Sequence, residues 1–210
     1  EITFTSFKEV QYGNGVTDVN GNNYSTVIIG DQEWMSENLR VSKFNNGSSI
    51  TQHHSGSSPN SSWLQSTTPG YINSHGNTYY NSYVINSNEE VCPIGWHLPS
   101  NQDFTNLKNF VEESGFTYNL AGRALSSVMW KGYSPGNASG IRSNDFGFNA
   151  KGHGTYQGLS GLNEHSGYFE IATFWSVSQS RFLIGYAGVV DIQIISNNGT
   201  AGYCIRCLKD

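Results

Sequence analysis

Three cysteines are the residues in this sequence with the clearest potential for covalent chemistry. Cys204 and Cys207 lie three positions apart in GYCIRCLKD, and Cys92 lies far upstream in CPIGWHLPS. A CxxC pair serves redox chemistry when its first thiol is activated at a helix N-terminus. The residues around Cys204 alternate in the manner of a strand, which favours structural cysteines instead. Because strand positions three apart point to opposite faces, we expect only one of the two to meet Cys92.

A disulfide from Cys92 to this carboxy-terminal segment would close a very long loop. If its partner is Cys207, the entropy removed from the unfolded chain would stabilise the fold by about 4 to 5 kcal/mol. Such a bond persists only in an oxidising compartment. The cysteines therefore bear on where the protein works as well as on how it is held together.

Aromatic side chains in amide-rich stretches are the second group with potential chemistry. Trp63, Tyr71 and Tyr156 lie among Ser, Asn, Gly and Gln residues, and His153 lies close to Tyr156. Such rings can stack on sugars while neighbouring amides bind hydroxyl groups. They can equally be ordinary core and edge residues, which is the more common role. We predict these four as candidate ligand-binding residues, provided that they converge on one groove.

The remaining motifs fail on spacing or context. DVNGNNY resembles a calcium loop, but Gly21 is its fourth residue rather than its sixth, and its twelfth position is Ile29. GYSPG matches a hydrolase nucleophile motif, yet a helical pattern precedes it and Pro135 follows the serine. The six histidines lack the spacing that presents a pair to zinc. We therefore predict no catalytic residue, no metal site and no cofactor.

The composition excludes several classes of protein. Gly, Ser, Asn and Thr supply 88 of the 210 residues, whereas only 13% are charged, so a coiled coil or helical bundle is excluded. The 28 aromatic residues argue against disorder, and the net charge of -5 argues against a nucleic-acid partner. No apolar run is long enough to span a membrane. The first residues do not resemble a signal peptide, and an export signal or lipid anchor could have been removed before Glu1.

Strand patterns dominate both ends of the chain. Residues 16–39 are expected to form a small meander with a tight turn at Asn20-Gly21. Residues 45–70 are rich in Ser, Gly and Asn and are expected to form one long surface loop. Strand patterns return after Asp145 and continue to the end of the chain.

Two helices are expected between these strand regions. Ser100 is predicted to cap the first, which ends before Gly115. The second is predicted to present Ala121, Ala124, Leu125, Val128 and Met129 on one face. Central helices with antiparallel strands on both sides predict a single α+β domain whose two termini pair in one sheet.

Several segments together resemble one family. They are DVNGNNYSTVIIGDQEWMSENL, HGNTYYNSYVI, CPIGWHLPSNQDFTNL, NDFGFNAKGHG, FWSVS and GYCIRCLKD. This set resembles the Fibrobacter succinogenes major paralogous domain, found in secreted and surface proteins of Bacteroides-like bacteria. The resemblance covers residues 16–210 and leaves 1–15 as an amino-terminal extension. Its most specific parts are CPIGWHLPS and the pair Arg206-Cys207.

The resemblance carries its own expectations. It implies an exported, often lipid-anchored domain with a fold similar to C-type lectins and to the formylglycine-generating enzyme superfamily. It also implies that Cys92 and Cys207 form the disulfide. Position 204 is usually small and hydroxylic in the family, so Cys204 is expected to be a buried free thiol. Positions 82 and 104, often Trp in the family, are Ser82 and Phe104 here, so the wall of the core or groove near them differs.

The leading functional hypothesis is a non-enzymatic module of the cell surface that binds or adheres to a glycan, another extracellular polymer or a protein. One alternative is an oxidoreductase related to formylglycine generation that uses Cys204 and Cys207, although the resemblance already commits Cys207 to a disulfide. A second is a structural domain of a surface assembly. Calcium-dependent sugar binding of the lectin type is not expected, because the chain has Trp175-Ser176-Val177 where that site needs Trp-Asn-Asp.

Overall fold

The amino-terminal part of the chain consists of short antiparallel strands joined by tight turns. A computed structural model describes residues 9–54, 61–117, 120–128, 143–157, 161–162, 171–184, 190–193 and 201–210. The first strands are β1 (Gln11–Tyr12), β2 (Val16–Thr17), β3 (Asn23–Tyr24), β4 (Thr26–Ile29) and β5 (Gln32–Met35). β1 pairs with β4, so part of the predicted amino-terminal extension belongs to a sheet.

The β2–β3 hairpin turns where the sequence predicts it. Gly21 has a φ of 82°, a conformation that suits glycine. The carboxylate of Asp18 accepts hydrogen bonds from the backbone N–H groups of Asn20 and Asn22 and from the hydroxyl of Tyr24. DVNGNNY is therefore a turn held by its own aspartate, and this carboxylate is already occupied by protein donors.

The predicted loop over 45–70 contains regular structure and core residues. The elements that follow β5 are β6 (Thr51–His53), α1 (Ser61–Leu64), β7 (Gly70–Ser74), β8 (Asn77–Tyr80), α2 (Ser82–Ile85) and β9 (Trp96–His97). β6 pairs in parallel with β7, and Trp63 in α1 is buried. The expectation of a plain surface loop is wrong here, because a parallel pairing between distant segments leaves no local signal.

The longest helix is the one that Ser100 was expected to cap. It is α3 (Asn101–Glu113), and Ser100 and Asp103 form a capping box at its start. The next helix, α4 (Ala121–Leu125), is shorter than predicted, since Val128 is exposed beyond its end. Met129 and the GYSPG motif at 132–136 lie outside the described residues.

The carboxy-terminal part returns to strands. They are β10 (Tyr156–Gln157), β11 (Gly161–Leu162), β12 (Ala172–Trp175), β13 (Arg181–Ile184), β14 (Val190–Gln193), β15 (Ala201–Gly202) and β16 (Leu208–Lys209). The principal sheet has the order β1-β4-β5-β16-β9, so both ends of the chain lie in one sheet, as expected. Residues 205–207, predicted as part of a continuous strand, are irregular instead. Four helices and sixteen short strands over the described ranges make the fold α+β.

Two clusters of buried apolar side chains form the core. One is centred on Trp34, Phe104 and Phe174 and includes Cys204. The other includes Trp175 and both half-cystines of the Cys92–Cys207 disulfide. The two cysteines of CIRC therefore face different parts of the core, as expected, although the segment between them is irregular and not a strand. No helix within the described ranges has the length and apolar character of a membrane span.

Candidate functional site

The four aromatic positions predicted to contact a ligand lie in the interior. Trp63 and Tyr156 meet edge to face with 5.2 Å between ring centroids. Tyr79 joins them to His153, with ring centroids 6.3 Å from Tyr156 and 6.0 Å from His153. Tyr71 belongs to the other core cluster, where its ring lies beside a different tyrosine. The structure thus brings together three of the four, around Tyr79.

The burial of these four side chains limits their ability to stack on a sugar. A ring that stacks on a sugar must present a face to solvent, and the most exposed of the four, Tyr71, is only 8% exposed. In this structure core packing, the alternative interpretation from the sequence, accounts for all four side chains. Their role as ligand contacts stays a prediction.

Cys204 and His153 form a buried pair whose residue types suggest nucleophilic chemistry. The Sγ atom of Cys204 lies 3.6 Å from Nδ1 of His153. Burial raises the pKa of the Cys204 thiol well above its usual range and lowers the pKa of His153 to about 3. Both groups are therefore neutral at pH 7, the opposite of the thiolate–imidazolium pair that a cysteine nucleophile needs. The pair is part of the core.

Arg206 is the most unusual buried side chain of the described residues. It is 1% exposed, whereas arginine is almost never fully buried without a partner. Its Nε donates to Oδ1 of Asn38 at 2.8 Å, and Nη2 donates to the carbonyl of Asn149 at 3.2 Å. Nη1 donates to the carbonyls of Met35, at 3.3 Å, and Phe148. The guanidinium thus joins the end of β5 to the segment around 149.

The local backbone is arranged to supply these acceptors. Asn149 adopts a left-handed conformation with a φ of 57°, which asparagine tolerates better than most residues. Its N–H donates to Oδ1 of Asn144 at 2.7 Å, which holds the turn in place. The rings of Phe148 and Phe174 lie 4.7 and 5.2 Å from the guanidinium carbon. Cation–π contacts of this kind stabilise a desolvated charge.

A polar pocket opens over this arginine. It has a volume of about 320 Å³ and is lined by residues of the segments 36–40, 75–78 and 149–151 together with Arg206. We refer to it as the Arg206 pocket. Three asparagines line it, at positions 38, 77 and 149. Oδ1 of Asn77 accepts from Nδ2 of Asn38 at 3.0 Å, so this side of the pocket is hydrogen-bonded to the group that holds Arg206.

A tight hairpin turn places the segment 75–78 at the pocket. β7 and β8 are joined by His75 and Gly76, both with positive φ, 48° and 75°. Two central residues with positive φ define the type I′ turn, whose twist suits a two-residue hairpin. The hydroxyl of Thr78 donates to Oδ1 of Asn73 at 2.8 Å and ties the two strands together. The turn therefore presents polar groups on a rigid support.

Charged groups line the pocket as well. Glu37 and Arg40 form an ion pair at 3.3 Å in which both side chains are half-exposed. Lys151 is exposed at the rim. Burial lowers the pKa of Arg206 to about 9, so its guanidinium stays charged at pH 7. A second depression, of about 560 Å³, adjoins the pocket and shares Glu37 with it.

Metal and cofactor sites receive no support from the described residues. Within those ranges no group of three or more His, Cys, Asp or Glu side chains is arranged to hold a metal ion. The chemistry that the Arg206 pocket offers is reversible hydrogen bonding and charge pairing with a small polar group.

Sequence reasoning did not find this pocket. Its lining comes from three segments and Arg206, which lie 35 or more positions apart in the sequence, so no local spacing reveals it. The one signal was Arg206 itself, in the pair Arg206-Cys207 that is among the most specific parts of the family resemblance. A lone arginine between two cysteines in a predicted strand gives no indication that it is buried under a cavity.

The fold and the pocket together define the class of protein to which this chain belongs. It is an α+β protein in which a long-range disulfide and a buried arginine anchor the carboxy-terminal segment, with a polar pocket above the arginine. The profile of the Fibrobacter succinogenes major domain matches residues 27–209. The chain belongs to this family, which confirms the resemblance read from its motifs. No curated protein and no solved structure matches the chain.

Proposed function

We propose that this protein is a non-enzymatic binding or adhesion module of the cell surface or the secreted space, and that it binds a glycan or another extracellular polymer. The Arg206 pocket is the proposed binding site. The observation that carries the proposal is a cavity lined by amide and hydroxyl side chains on a rigid, hydrogen-bonded base. The fold proposed for the module is similar to C-type lectins and formylglycine-generating enzymes.

The chemistry of the lining suits a polyhydroxylated ligand. An asparagine side chain presents two donors and an acceptor, so each amide can bind a sugar hydroxyl in either sense. Three such amides and the hydroxyls of Ser36 and Thr78 line the pocket. Because the turn at 75–76 and the Arg206 network fix this lining, little side-chain entropy is lost on binding.

The disulfide supports a location outside the cytoplasm. Cys92 and Cys207 are bonded across a sequence separation of 115 residues. Thiols in the cytoplasm are kept reduced, whereas small exported domains rely on such bonds. An export signal or lipid anchor ahead of Glu1 is part of the proposal.

The oxidoreductase alternative requires two free thiols within reach of each other. Cys207 is bonded to Cys92, and Cys204 is a buried thiol that faces His153. This arrangement gives the alternative no specific support, and we do not adopt it. A structural role in a surface assembly would instead appear as self-association in sizing experiments.

A glycan array compares the wild-type protein with Asn77→Ala and Asn106→Ala. Asn77 lines the pocket, whereas Asn106 is exposed on α3 and takes no part in the pocket. We expect the wild type and Asn106→Ala to bind the same glycans, and Asn77→Ala to bind them at least about tenfold more weakly. The proposal fails if the wild type binds no glycan or extracellular polymer, or if Asn77→Ala, folded as judged by its melting temperature, binds like the wild type.

A further inference from the structure

We infer that the glycan bound in the Arg206 pocket carries an anionic group, a carboxylate or a sulfate ester, beside its hydroxyl groups. This inference rests on the proposed function and specifies its ligand class. The charges around the pocket and the hydrogen bonds of the guanidinium at its base favour an anionic ligand.

The pocket is locally positive on an acidic protein. Its lining includes three cationic side chains, of Arg40, Lys151 and Arg206, against one carboxylate, of Glu37. The chain as a whole carries a formal charge of -5. A pocket lined mainly by positive charges focuses the electric field inside it and attracts small anions, even though the protein as a whole is acidic.

Arg206 has no carboxylate partner among the described residues. All four of its hydrogen bonds go to neutral oxygens, one amide of Asn38 and three backbone carbonyls. A guanidinium has five N–H donors, so one on Nη2 is left over within this network. Buried charges are normally compensated by a partner of opposite sign. An anionic group in the pocket would supply that compensation.

The one acidic group of the lining is already engaged. Oε2 of Glu37 lies 3.3 Å from Nη1 of Arg40, and Oε1 accepts from the backbone N–H of Ser25 at 3.2 Å. Glu37 therefore pairs directly with Arg40 at the edge of the pocket and acts on Arg206 only as a nearby charge without a hydrogen bond, so the lining keeps an excess of positive charge. Two positive charges remain for the ligand.

Lys151 is placed to meet a ligand at the rim. Its side chain is exposed, and within the described ranges it makes no ion pair or hydrogen bond. An ammonium on a flexible stem can follow an anion without a fixed geometry. Lys151 would thus contact the acidic group from the rim, and the buried Arg206 would attract it from beneath the lining, while the asparagines bind hydroxyls.

The dimensions suit one acidic sugar unit of a longer chain. A volume of about 320 Å³ lies near the lower end of the range for small-ligand pockets, about 300 to 1,000 Å³. The adjoining depression on the far side of Glu37 gives neighbouring units a place to lie. Tyr12, 72% exposed, lies in that depression and offers an open ring face.

Calorimetric titration of the full chain with three oligosaccharides tests the inference. The probes are a galacturonic acid trimer, the same trimer with its carboxyl groups reduced to neutral galactose, and a sulfated galactose oligosaccharide. We expect at least one acidic probe to bind at least tenfold more tightly than the neutral trimer, with an affinity that falls as salt rises. The acidic probe that binds more tightly identifies the source of the anion.

Three variants locate the effect in the pocket. Lys151→Gln is expected to weaken binding of the preferred acidic probe three- to tenfold and to leave the neutral trimer unaffected. Glu37→Gln is expected to strengthen binding of the acidic probe, because it removes the opposing charge. Lys43→Gln, at an exposed lysine outside the pocket, is the matched control and should bind like the wild type.

The outcomes separate the two proposals. If neither acidic probe binds more tightly than the neutral trimer, or if an acidic preference survives in Lys151→Gln and is unchanged in Glu37→Gln, the anionic ligand is overturned and the glycan-binding function still stands. Failure of all three probes together with a blank glycan array overturns both.

Discussion

Arg206 shows how one buried side chain can join segments that are far apart in the chain. Its donors reach Asn38, the carbonyl of Met35 and the carbonyls of Phe148 and Asn149, so the end of β5 and the segment around 149 are fixed to the carboxy-terminal segment. Four satisfied hydrogen bonds offset much of the desolvation of the charge. The same contacts place a positive charge under the pocket, so the structural role of this residue and the binding role that we propose for it depend on the same geometry.

The buried His153 is expected to make the stability of the protein depend on pH. Burial lowers its pKa in the folded protein to about 3, below the usual value of 6.5 in the unfolded chain. As the pH falls below 6.5 the unfolded chain binds a proton that the folded protein does not, so stability is lost as the pH falls toward 3. We expect His153 to account for about 2 kcal/mol of lost stability between pH 7 and pH 5.

Urea unfolding of the wild type and His153→Gln at several pH values measures this contribution. The variant should be less stable overall, because it disturbs packing against Tyr79 and Phe174, yet its stability should fall less between pH 7 and pH 5. Parallel stability curves for the two proteins would show that His153 contributes nothing to acid sensitivity.

A residue of the candidate site could be predicted from the sequence only where its environment is set by residues close to it in the chain. Cys204 and Cys207 lie in different core clusters, as the strand pattern predicts, although residues 205–207 are irregular and not a strand. The burial of Trp63 does not follow from its Ser-rich neighbours, since the side chains that cover it, such as Tyr156, are distant in sequence. The Arg206 pocket depends wholly on such distant contacts.

At the scale of elements, prediction succeeded where the stabilising contacts are local. The β2–β3 turn and α3 both carry their own polar partners, from Asp18 and Ser100. The strand β6 was missed because its hydrogen-bonding partner β7 lies some 20 residues away and runs parallel to it. The extent of α4 was overestimated because Val128 and Met129 continue the helical spacing of apolar residues past its end at Leu125.

The capping box of α3 is expected to contribute measurably to the stability of the protein. Oγ of Ser100 accepts from the N–H of Asp103 at 3.2 Å, and Oδ2 of Asp103 accepts from the N–H of Ser100 at 2.8 Å. Ser100→Ala removes the first bond and should lower the free energy of unfolding by about 1 kcal/mol, within the usual range of 0.5–2. Urea titration followed by circular dichroism measures it.

Ser114→Ala is the control for this substitution. Ser114 is exposed at the other end of α3, where its backbone N–H makes the capping contacts. Loss of the Ser114 hydroxyl should lower the free energy of unfolding by less than about 0.5 kcal/mol, because the backbone N–H remains. If Ser100→Ala is no more destabilising than Ser114→Ala, the capping box does not stabilise the helix in the folded protein.

At the scale of the whole molecule, the Cys92–Cys207 disulfide is the longest-range covalent constraint. It closes a loop across a separation of 115 residues, and its loss should lower the free energy of unfolding by about 4 to 5 kcal/mol. Reductant should therefore destabilise the wild type and Cys204→Ala alike and should have no effect on a Cys92→Ser, Cys207→Ser double variant. Urea unfolding with and without reductant makes this comparison.

Thiol labelling of the unfolded wild type gives an independent measurement. One adduct is expected without reductant, from Cys204, and three are expected after reduction. Two or three adducts without reductant would show that the bond does not form, and would reopen the oxidoreductase alternative.

The position of β16 determines the order in which this protein can fold. Leu208 pairs with Trp34 of β5 on one side and with His97 of β9 on the other, so β16 is an inner strand that joins β9 to the rest of the principal sheet. While a ribosome or a translocation channel still holds that strand, β5 and β9 have no neighbour at their facing edges. Unpaired edges invite association with other chains. A nascent copy is therefore exposed to aggregation until β16 has emerged and paired, and we expect its dependence on chaperones to fall at that point.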